Sequence, residues 1–447
     1  MMPIYFVSLG CDKNLVDSEK MLAILAKEGY ELTDEPEKAE IIVVNTCAFI
    51  HDAKQESIET LLELAEYKKT GKCKVLIASG CLAERYQDSI LEEMPEIDGI
   101  IGTTAYDDIA DVVKKALGGQ PASLTKELDY LPAHLTDRIS SGMSHVGYLK
   151  ISEGCNKNCT YCIIPSMRGH YRSVPMEDLL EETEKLAENG VRELILVAQE
   201  TTLYGVDLYQ EKKLPQLLHE LAKIQGIEWI RILYCYPEEI TLELAREIKN
   251  NPKVCHYLDL PIQHCNDDIL KRMGRRTTKV ELLDKIAMLR KEVPDITLRT
   301  TLISGFPGET REQHDECIEF VRQMRFDRLG VFPYSEEEGT KAASFPHQIP
   351  EETRRQWADE IMQAQQEVIF LQNENFVGRV LKVIVDGYLP QDDVYVARTY
   401  RDTPEIDGCI FFQVPYEILS GTFVSLLVTD ANGYDLIGEI CSEEEEE

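Results

Sequence analysis

The stretch HVGYLKISEGCNKNCTYCIIP (residues 145–165) leads from a strand-like segment directly into three closely spaced cysteines. Cys155, Cys159 and Cys162 fall within eight residues, and no fourth cysteine stands nearby at ligand spacing. A tetrahedral zinc site, or a cluster held entirely by protein, uses four soft ligands. Three thiolates would instead hold three irons of a [4Fe–4S] cluster and leave the fourth iron open to a substrate or cofactor. The alternative is a structural zinc site with a distant fourth ligand.

Strand and helix patterns alternate around this loop. The strand candidates are 145–152, 193–199, 229–235, 256–262, 296–304 and 327–332. Helical patterns separate them, as at 175–190, which has Pro175 near its first turn and Gly190 beyond its end. Six such β–α units predict a partial (β/α)6 barrel of parallel strands over residues 143–375. Active groups gather at the C-terminal ends of such strands, so the cysteine loop should lie on the functional face.

Residues 1–120 show a second alternation of strands and helices. Strand-like runs at 4–10, 41–45 and 74–79, with a helical pattern at 17–29, predict a doubly wound parallel sheet. Three further cysteines each lie just past the end of one of these strands: Cys11, Cys47 and Cys81. Because ligands bind where parallel strands end, these cysteines can converge and form a second site with an open coordination position. The alternative is three unrelated buried cysteines.

The remaining segments are a linker, a small barrel and a tail. Residues 121–142 carry Gly, Pro and Ser without clear periodicity and are predicted to be a linker. Residues 376–442 hold short β-rich pieces punctuated by Gly, Pro and Asp, which predict a small antiparallel β-barrel. The acidic residues 443–447 are predicted to be a solvated tail.

The net charge restricts the choice of partner. The chain carries 47 Lys+Arg against 80 Asp+Glu, a net charge of −33. Residues 378–447 alone hold 4 Lys+Arg and 15 Asp+Glu, a net charge of −11. A barrel that binds tRNA should be basic, whereas an acidic one suits a Lys/Arg-rich protein. Nucleic acid is therefore not expected as the primary substrate, although the barrel could also brace the core without touching any substrate.

Composition indicates a cytoplasmic protein. The sequence has no run of 18 apolar residues, and its start lacks the basic region of a signal peptide. Thirteen cysteines in a reducing compartment should not form a disulfide framework. The cysteines outside the two trios are predicted to be structural: Cys73, Cys235, Cys255, Cys265, Cys317, Cys409 and Cys441.

The Cys-x3-Cys-x2-Cys spacing, with Tyr161 before the last cysteine, resembles the radical S-adenosylmethionine (SAM) enzymes. Both trios together resemble the methylthiotransferase family of these enzymes, which combines an N-terminal methylthiotransferase domain, a radical SAM core and a C-terminal TRAM domain. The resemblance covers essentially the whole chain and rests on SLGCDKNLVDSEKM, NTCAFI, EGCNKNCTYCIIPSMRGHYRS, VAQETTLYGVD, LDLPIQHCNDDILKRM, ISGFPGET and GVFPYSEEEGTKAA. YSEEEGT resembles the branch that modifies ribosomal protein S-twelve more than the tRNA-modifying branch typified by MiaB. Val174 and Cys265 depart from the family's usual arginine and small residue.

The resemblance implies an activity and its cofactors. The family uses two [4Fe–4S] clusters, one SAM as methyl donor and another as radical source, and the branch that this chain resembles adds a methylthio group to the β-carbon of an aspartate in S-twelve. It implies that Cys155, Cys159 and Cys162 hold one cluster, and that Cys11, Cys47 and Cys81 hold the other. Near SAM it implies Tyr161, Gln199 and Gly305, with Arg299 and Glu309 as weaker candidates.

The implied partners are S-twelve, free or in the small ribosomal subunit, and an electron donor such as flavodoxin or ferredoxin. Two other functions stay open. One is a tRNA methylthiotransferase of the MiaB type, which would need a basic path formed by the fold. The other is a non-catalytic iron–sulfur electron carrier or scaffold, which would not cleave SAM.

Overall fold

The computed structural model describes residues 2–120, 122–132 and 137–441, which form two α/β regions and a small barrel. The first region is a six-stranded parallel sheet with strand order β2-β1-β3-β4-β5-β6. Its strands are β1 (Pro3–Ser8), β2 (Glu31–Leu32), β3 (Ile41–Thr46), β4 (Val75–Gly80), β5 (Gly99–Ile101) and β6 (Ala122–Leu124). Its helices are α1 (Asp12–Lys27), α2 (His51–Ala65), α3 (Tyr67–Thr70), α4 (Cys81–Tyr86), α5 (Asp88–Glu93) and α6 (Ile109–Leu117).

Both faces of this sheet are apolar because the central strands are apolar at consecutive positions. Ile42 and Val44 of β3 pack on the face that α2 covers, whereas Ile41 and Val43 pack on the face that α1 and α6 cover. The strand order reverses between β1 and β3, which makes this the switch point of a doubly wound sheet. The predicted fold of this region is confirmed.

Ordered structure reaches into the segment that was predicted to be a linker. Residues 122–124 form β6, which pairs in parallel with β5 at the sheet edge. The three residues ASL are too few to show a strand periodicity in the sequence. The later part of the predicted linker runs across α1, where the Ile139 N–H donates to the Glu19 carbonyl over 3.2 Å. Residues 133–136 lie outside the described part of the chain.

The second region is an open sheet of six parallel strands in sequence order, β7-β10-β11-β12-β13-β14, as predicted for a partial barrel. Its strands are β7 (Val146–Lys150), β10 (Glu193–Val197), β11 (Trp229–Ile232), β12 (Val254–Asp259), β13 (Thr297–Ser304) and β14 (Arg328–Pro333), with the separate pair β8 (Ser152–Glu153) and β9 (Arg172–Ser173). Its helices are α7 (Ile164–Arg168), α8 (Met176–Glu188), α9 (Val206–Tyr209), α10 (Leu214–Leu221), α11 (Leu242–Asn250), α12 (Asp267–Arg272), α13 (Lys279–Glu292), α14 (Arg311–Met324) and α15 (Glu351–Glu374). The antiparallel pair β8–β9 closes the base of the three-cysteine loop.

The third region is a closed five-stranded barrel. Its strands are β15 (Val380–Leu389), β16 (Val394–Thr399), β17 (Ile410–Phe412), β18 (Phe423–Asn432) and β19 (Asp435–Ile440). Four of the pairings are antiparallel, but β17 and β19 pair in parallel, so the barrel is mixed rather than purely antiparallel. The predicted tail at 443–447 lies outside the described residues. None of the helices in the described part of the chain is long and apolar enough to cross a membrane.

Candidate functional site

The first trio of cysteines lies at the switch point of the first sheet. Cys11 follows β1 and precedes α1, Cys47 follows β3, and Cys81 is the first residue of α4, directly after β4. Burial, followed by the neighbouring Cys81 and Cys11 thiolates, raises the pKa of Cys47 to about 12. Gly10 adopts φ +91°, and a Cβ there would lie 2.7 Å from the Cβ of Cys47. The loop can therefore bring Cys11 against Cys47 only with glycine before it.

Asn14 holds the loops of this trio together. Its side-chain amide donates to the carbonyls of Leu9 and Thr46, each over 3.0 Å, and so ties the loop after β1 to the end of β3. Its Oδ1 accepts from the guanidinium of Arg168 and lies 3.9 Å from the Sγ of Cys81. Asn14 could not be singled out from the sequence, because a polar residue in the first turn of a helix has many ordinary uses.

Arg168 connects the first trio to the loop that carries the second. It lies six residues after Cys162, is 2% exposed, and places its Nη2 3.5 Å from the Sγ of Cys81. Its Nη1 lies 2.8 Å from Asp17 and 3.1 Å from Glu153. Burial raises the pKa of the Cys81 thiol, and the Arg168 charge opposes that shift. A guanidinium in this position favours a thiolate at Cys81.

The second trio lies on the loop between β8 and β9. Cys155 and Cys159 are buried and Cys162 is half-buried. Burial raises the pKa of Cys155 and Cys162, and the Cys159 thiolate raises both further. Gly154 has φ +77°, and a Cβ there would lie 2.6 Å from the Gly169 carbonyl oxygen. The Cys155 N–H donates to that carbonyl over 3.1 Å, so the loop is folded tightly at its first cysteine.

One tripeptide, Tyr234–Cys235–Tyr236 after β11, contacts the second trio and the residue next to Cys11 of the first. The Tyr236 hydroxyl lies 3.9 Å from the Sγ of Cys159. The Tyr234 hydroxyl donates to Asp12, next to Cys11, over 3.2 Å. Residues two apart span at most about 7 Å of backbone, so the two trios flank one short segment. The cysteine between the tyrosines points instead into the hydrophobic core of the second region.

A cavity of about 220 Å³ adjoins the first trio. Its lining includes Cys11, Asp12 and Tyr148, together with Pro404 and Glu405 of the barrel region. All three regions therefore meet beside the first trio.

The structure places the predicted SAM-contacting residues in different settings. Gln199, just past β10, donates from Nε2 to Glu153 over 2.7 Å, while its buried Oε1 has no partner among the described residues. That free acceptor is suited to an ammonium group. Tyr161 packs against the small apolar cluster of Ile269, Met273, Phe306, Tyr334 and Ala342. Gly305 has φ +73° and packs against Arg354. A Cβ added at Gly305 would lie 2.9 Å from the Cβ of Arg354, so only glycine leaves room for this side chain.

The two weaker candidates have protein partners. Glu309 accepts from the Phe306 N–H over 2.9 Å, which braces its own turn. Arg299 lies 3.3 Å from Asp259. The structure accounts for both residues by these contacts.

The donor sets of both trios fit iron–sulfur clusters. Each offers three soft sulfur ligands in a largely buried pocket, as iron–sulfur clusters require. Among the described residues, a separate group of His264, Cys265 and Cys317 has ligand atoms within 4.8 Å of one another, but it lies in neither trio.

The family models match these regions separately. Residues 149–321 match the radical SAM superfamily, residues 3–102 match the Uncharacterized protein family UPF0004, and residues 377–441 match the TRAM domain. The fold and the three-cysteine loop thus define a radical SAM protein, a class that uses a [4Fe–4S] cluster and SAM.

Whole-chain relatives narrow the class. The chain is 57% identical over 437 residues to "Ribosomal protein uS12 methylthiotransferase RimO" of Lachnoclostridium phytofermentans, covering 98% of this chain and 99% of that protein. It is 50% identical to the protein of the same name from Clostridium perfringens, covering 98% of each. The chain belongs to the RimO family of radical SAM methylthiotransferases.

Solved structures resemble the chain in fold alone. The radical SAM methyltransferase TsrM of Kitasatospora setae superposes with a TM-score of 0.54 at 13% identity, over 74% of this chain and 73% of that one. The radical SAM enzyme OxsB superposes with a TM-score of 0.51 at 12% identity, over 81% of this chain and 56% of that one. At such identities the likeness carries no residue role.

Proposed function

We propose that this chain adds a methylthio group to the β-carbon of an aspartate in ribosomal protein uS12, the protein named as substrate of its relatives. The observation that carries the proposal is that two largely buried cysteine trios, from two different regions, adjoin one segment: Tyr236 lies beside Cys159, and Tyr234 bonds to Asp12 next to Cys11. A single cluster suffices for radical SAM chemistry. A second trio beside the first suits a reaction that must also deliver sulfur.

Each trio has its own task in this proposal. Cys155, Cys159 and Cys162 would hold the cluster that works with SAM, and Cys11, Cys47 and Cys81 would hold a second cluster. When bound, these groups supply the radical that breaks an unactivated C–H bond and the sulfur that replaces the hydrogen, which no side-chain acid or base can do.

The chain's own residues bind SAM, orient the reacting groups and exclude water. Gln199 has a free buried Oε1 beside the ionic group of Glu153, where it can accept from the ammonium group of SAM. Tyr236 lies against Cys159 with Arg275 stacked 4.2 Å from its ring centroid, which keeps water from that side of the loop. Burial of both trios restricts the reactive space, so that the reacting groups meet in fixed orientation.

The barrel supports a protein substrate over tRNA. Arg398 and Arg401, two of its four cations, are each 1% exposed and point toward acidic groups within the protein. Lys382 lies 3.9 Å from Glu228. The side chains of three acidic residues of the barrel, Asp386, Asp402 and Asp407, are buried as well, so the barrel keeps the excess of negative charge that its sequence carries, which repels phosphate and attracts a basic protein.

The test offers both substrates to one enzyme. Reconstituted, reduced protein is incubated with SAM and sulfide, together with either uS12 or unmodified tRNA, and the products are analysed by mass spectrometry. We expect uS12 to gain one methylthio group in place of hydrogen. Modification of tRNA alone would favour the MiaB-type function, and absence of 5′-deoxyadenosine would favour a non-catalytic iron–sulfur protein. A ribosomal substrate places the reaction in the cytoplasm. Reduction of the cluster there would need an electron donor such as flavodoxin or ferredoxin.

A further inference from the structure

Within the described part of the chain, Lys13 is a buried cation without a counter-ion. It lies in the first turn of α1, two residues after Cys11, and is 7% exposed. Its Nζ lies 3.3 Å from the centroid of the Tyr234 ring. Apart from this ring contact, Lys13 makes no side-chain hydrogen bond or ion pair with any residue that the structure describes.

The other buried lysines behave differently. Lys20 lies 3.0 Å from Glu182, Lys150 lies 2.8 Å from Glu153, and Lys157 lies 2.5 Å from Glu239. An ammonium group that leaves water without a counter-ion loses its hydration with no compensating interaction. Lys13 is the exception among these four, so its surroundings are arranged for an anion that the chain does not itself supply.

The nearby carboxylates are held by other donors. Asp12 accepts from the Tyr234 hydroxyl over 3.2 Å. Asp259 accepts from the Tyr234 N–H over 3.0 Å and lies 3.3 Å from Arg299. Asp259 is near enough to feel the charge of Lys13, but no ion pair forms between the two. Both carboxylates therefore bind other donors, and the Tyr234 ring contacts the Lys13 ammonium group by a cation–π interaction.

Tyr234 is itself held in a strained conformation. Its φ is +61°, in the left-handed region that bulky residues rarely adopt. Its hydrogen bonds to Asp12 and Asp259 fix this conformation from two sides. A strained backbone conformation persists where the surrounding contacts enforce it. Here the conformation turns the face of the Tyr234 ring toward Lys13.

We propose that Lys13 binds the side-chain carboxylate of the aspartate that is methylthiolated, and so selects aspartate over asparagine. This inference rests on the function proposed above. The reacting β-carbon is bonded directly to that carboxylate carbon, so a contact with Lys13 would hold the carbon beside Tyr234, within reach of both trios. A charge-assisted contact of this kind discriminates against a neutral amide because the amide offers the ammonium no negative charge.

The test compares two enzymes on two substrates. Wild type and Lys13→Met are assayed with uS12 and with uS12 in which the target aspartate is replaced by asparagine. Since a hydrogen bond to a charged group contributes about 1.5–3 kcal/mol, we expect wild type to favour the aspartate form by about 10- to 100-fold in kcat/KM. Lys13→Met should lose this preference and modify both forms at similar low rates. Lys13→Arg should keep part of it.

Three readouts separate the role of Lys13 from others. Lys13→Met should keep the wild-type iron content, form 5′-deoxyadenosine, and unfold at the wild-type temperature or above, because it removes an unpaired buried charge. Lys115→Met, at an exposed position on α6, is the matched control and should behave as wild type in every assay.

Each outcome decides the inference. A variant that keeps the wild-type preference for aspartate would overturn it. Loss of iron or of SAM cleavage in Lys13→Met would also overturn it, since Lys13 would then serve a cluster or the carboxylate of SAM. If wild type modifies neither form of uS12, the proposed function fails and this inference fails with it.

Discussion

The charge balance around Arg168 gives a quantitative prediction. Arg168 and Lys150 face Asp17 and Glu153 in a buried group of two cations and two anions. All four residues are at most 8% exposed. Arg168→Met removes one cation and leaves one negative charge in excess in a site that water does not reach. Breaking a buried pair in this way costs about 3–5 kcal/mol of unfolding free energy.

A second substitution tests whether charge balance is the cause. Asp17→Asn alone leaves one positive charge in excess and should also destabilise the fold. The double variant Arg168→Met/Asp17→Asn is again neutral, so its cost should be smaller than the sum of the two single costs by about 0.5–3 kcal/mol. Arg322→Met, which removes an exposed pair with Glu367, is the control and should cost less than about 1 kcal/mol.

The assay is urea unfolding of the apoprotein. Both tryptophans, Trp229 and Trp357, lie in the second region, so their fluorescence follows the part of the chain that carries Arg168. Additive costs in the double variant, within about 0.5 kcal/mol, would refute the argument from charge balance.

The pH dependence has a definite sign. Burial raises the pKa of Glu153, but Lys150 and Arg168 outweigh it and hold that pKa well below its usual range. Glu153 therefore contributes stability above the pKa of an unfolded glutamate, about 4.3, and this contribution is lost as the pH falls below that value. Without Arg168 the pKa of Glu153 is lowered less. Arg168→Met should therefore lose less unfolding free energy than wild type when the pH falls from neutral to acidic.

Three further variants probe the site. Gly154→Ala places a Cβ against the backbone of residues 169–170, and we expect iron counting to show loss of the cluster at Cys155, Cys159 and Cys162. Cys159→Ala should abolish 5′-deoxyadenosine formation but keep the other cluster, and EPR showing no remaining cluster would contradict independent sites. Gln199→Leu removes the free Oε1 and should weaken SAM binding about 10-fold or more by equilibrium dialysis, whereas unchanged affinity would remove Gln199 from the SAM site.

The convergence of Cys11, Cys47 and Cys81 was predictable because topology decides it. Each cysteine follows a parallel strand, and the carboxyl ends of parallel strands meet at one edge whatever the details of packing. The three-cysteine loop was predictable for a similar reason, since its spacing is local and it follows the first strand of its own sheet.

The contacts between regions could not be read from the sequence. Arg168 meets Cys81 across 87 positions of sequence, and Tyr234 meets Asp12 across 222. No local periodicity encodes such pairs, because domain packing brings them together. The parallel pairing of β17 with β19 was missed for a related reason: alternation predicts a strand but not the direction of its neighbour.

Buried ion pairs join the three regions of the chain. Lys20 of α1 pairs with Glu182 of α8, Arg168 pairs with Asp17, and Arg398 of the barrel pairs with Glu193 of β10. Such pairs add little stability compared with apolar contacts of the same size. They do restrict geometry, because sliding one region by a few ångströms would leave two unpaired charges out of water. Under the proposed function two trios must face one substrate carbon, and there a restriction on position is of more use than additional stability would be.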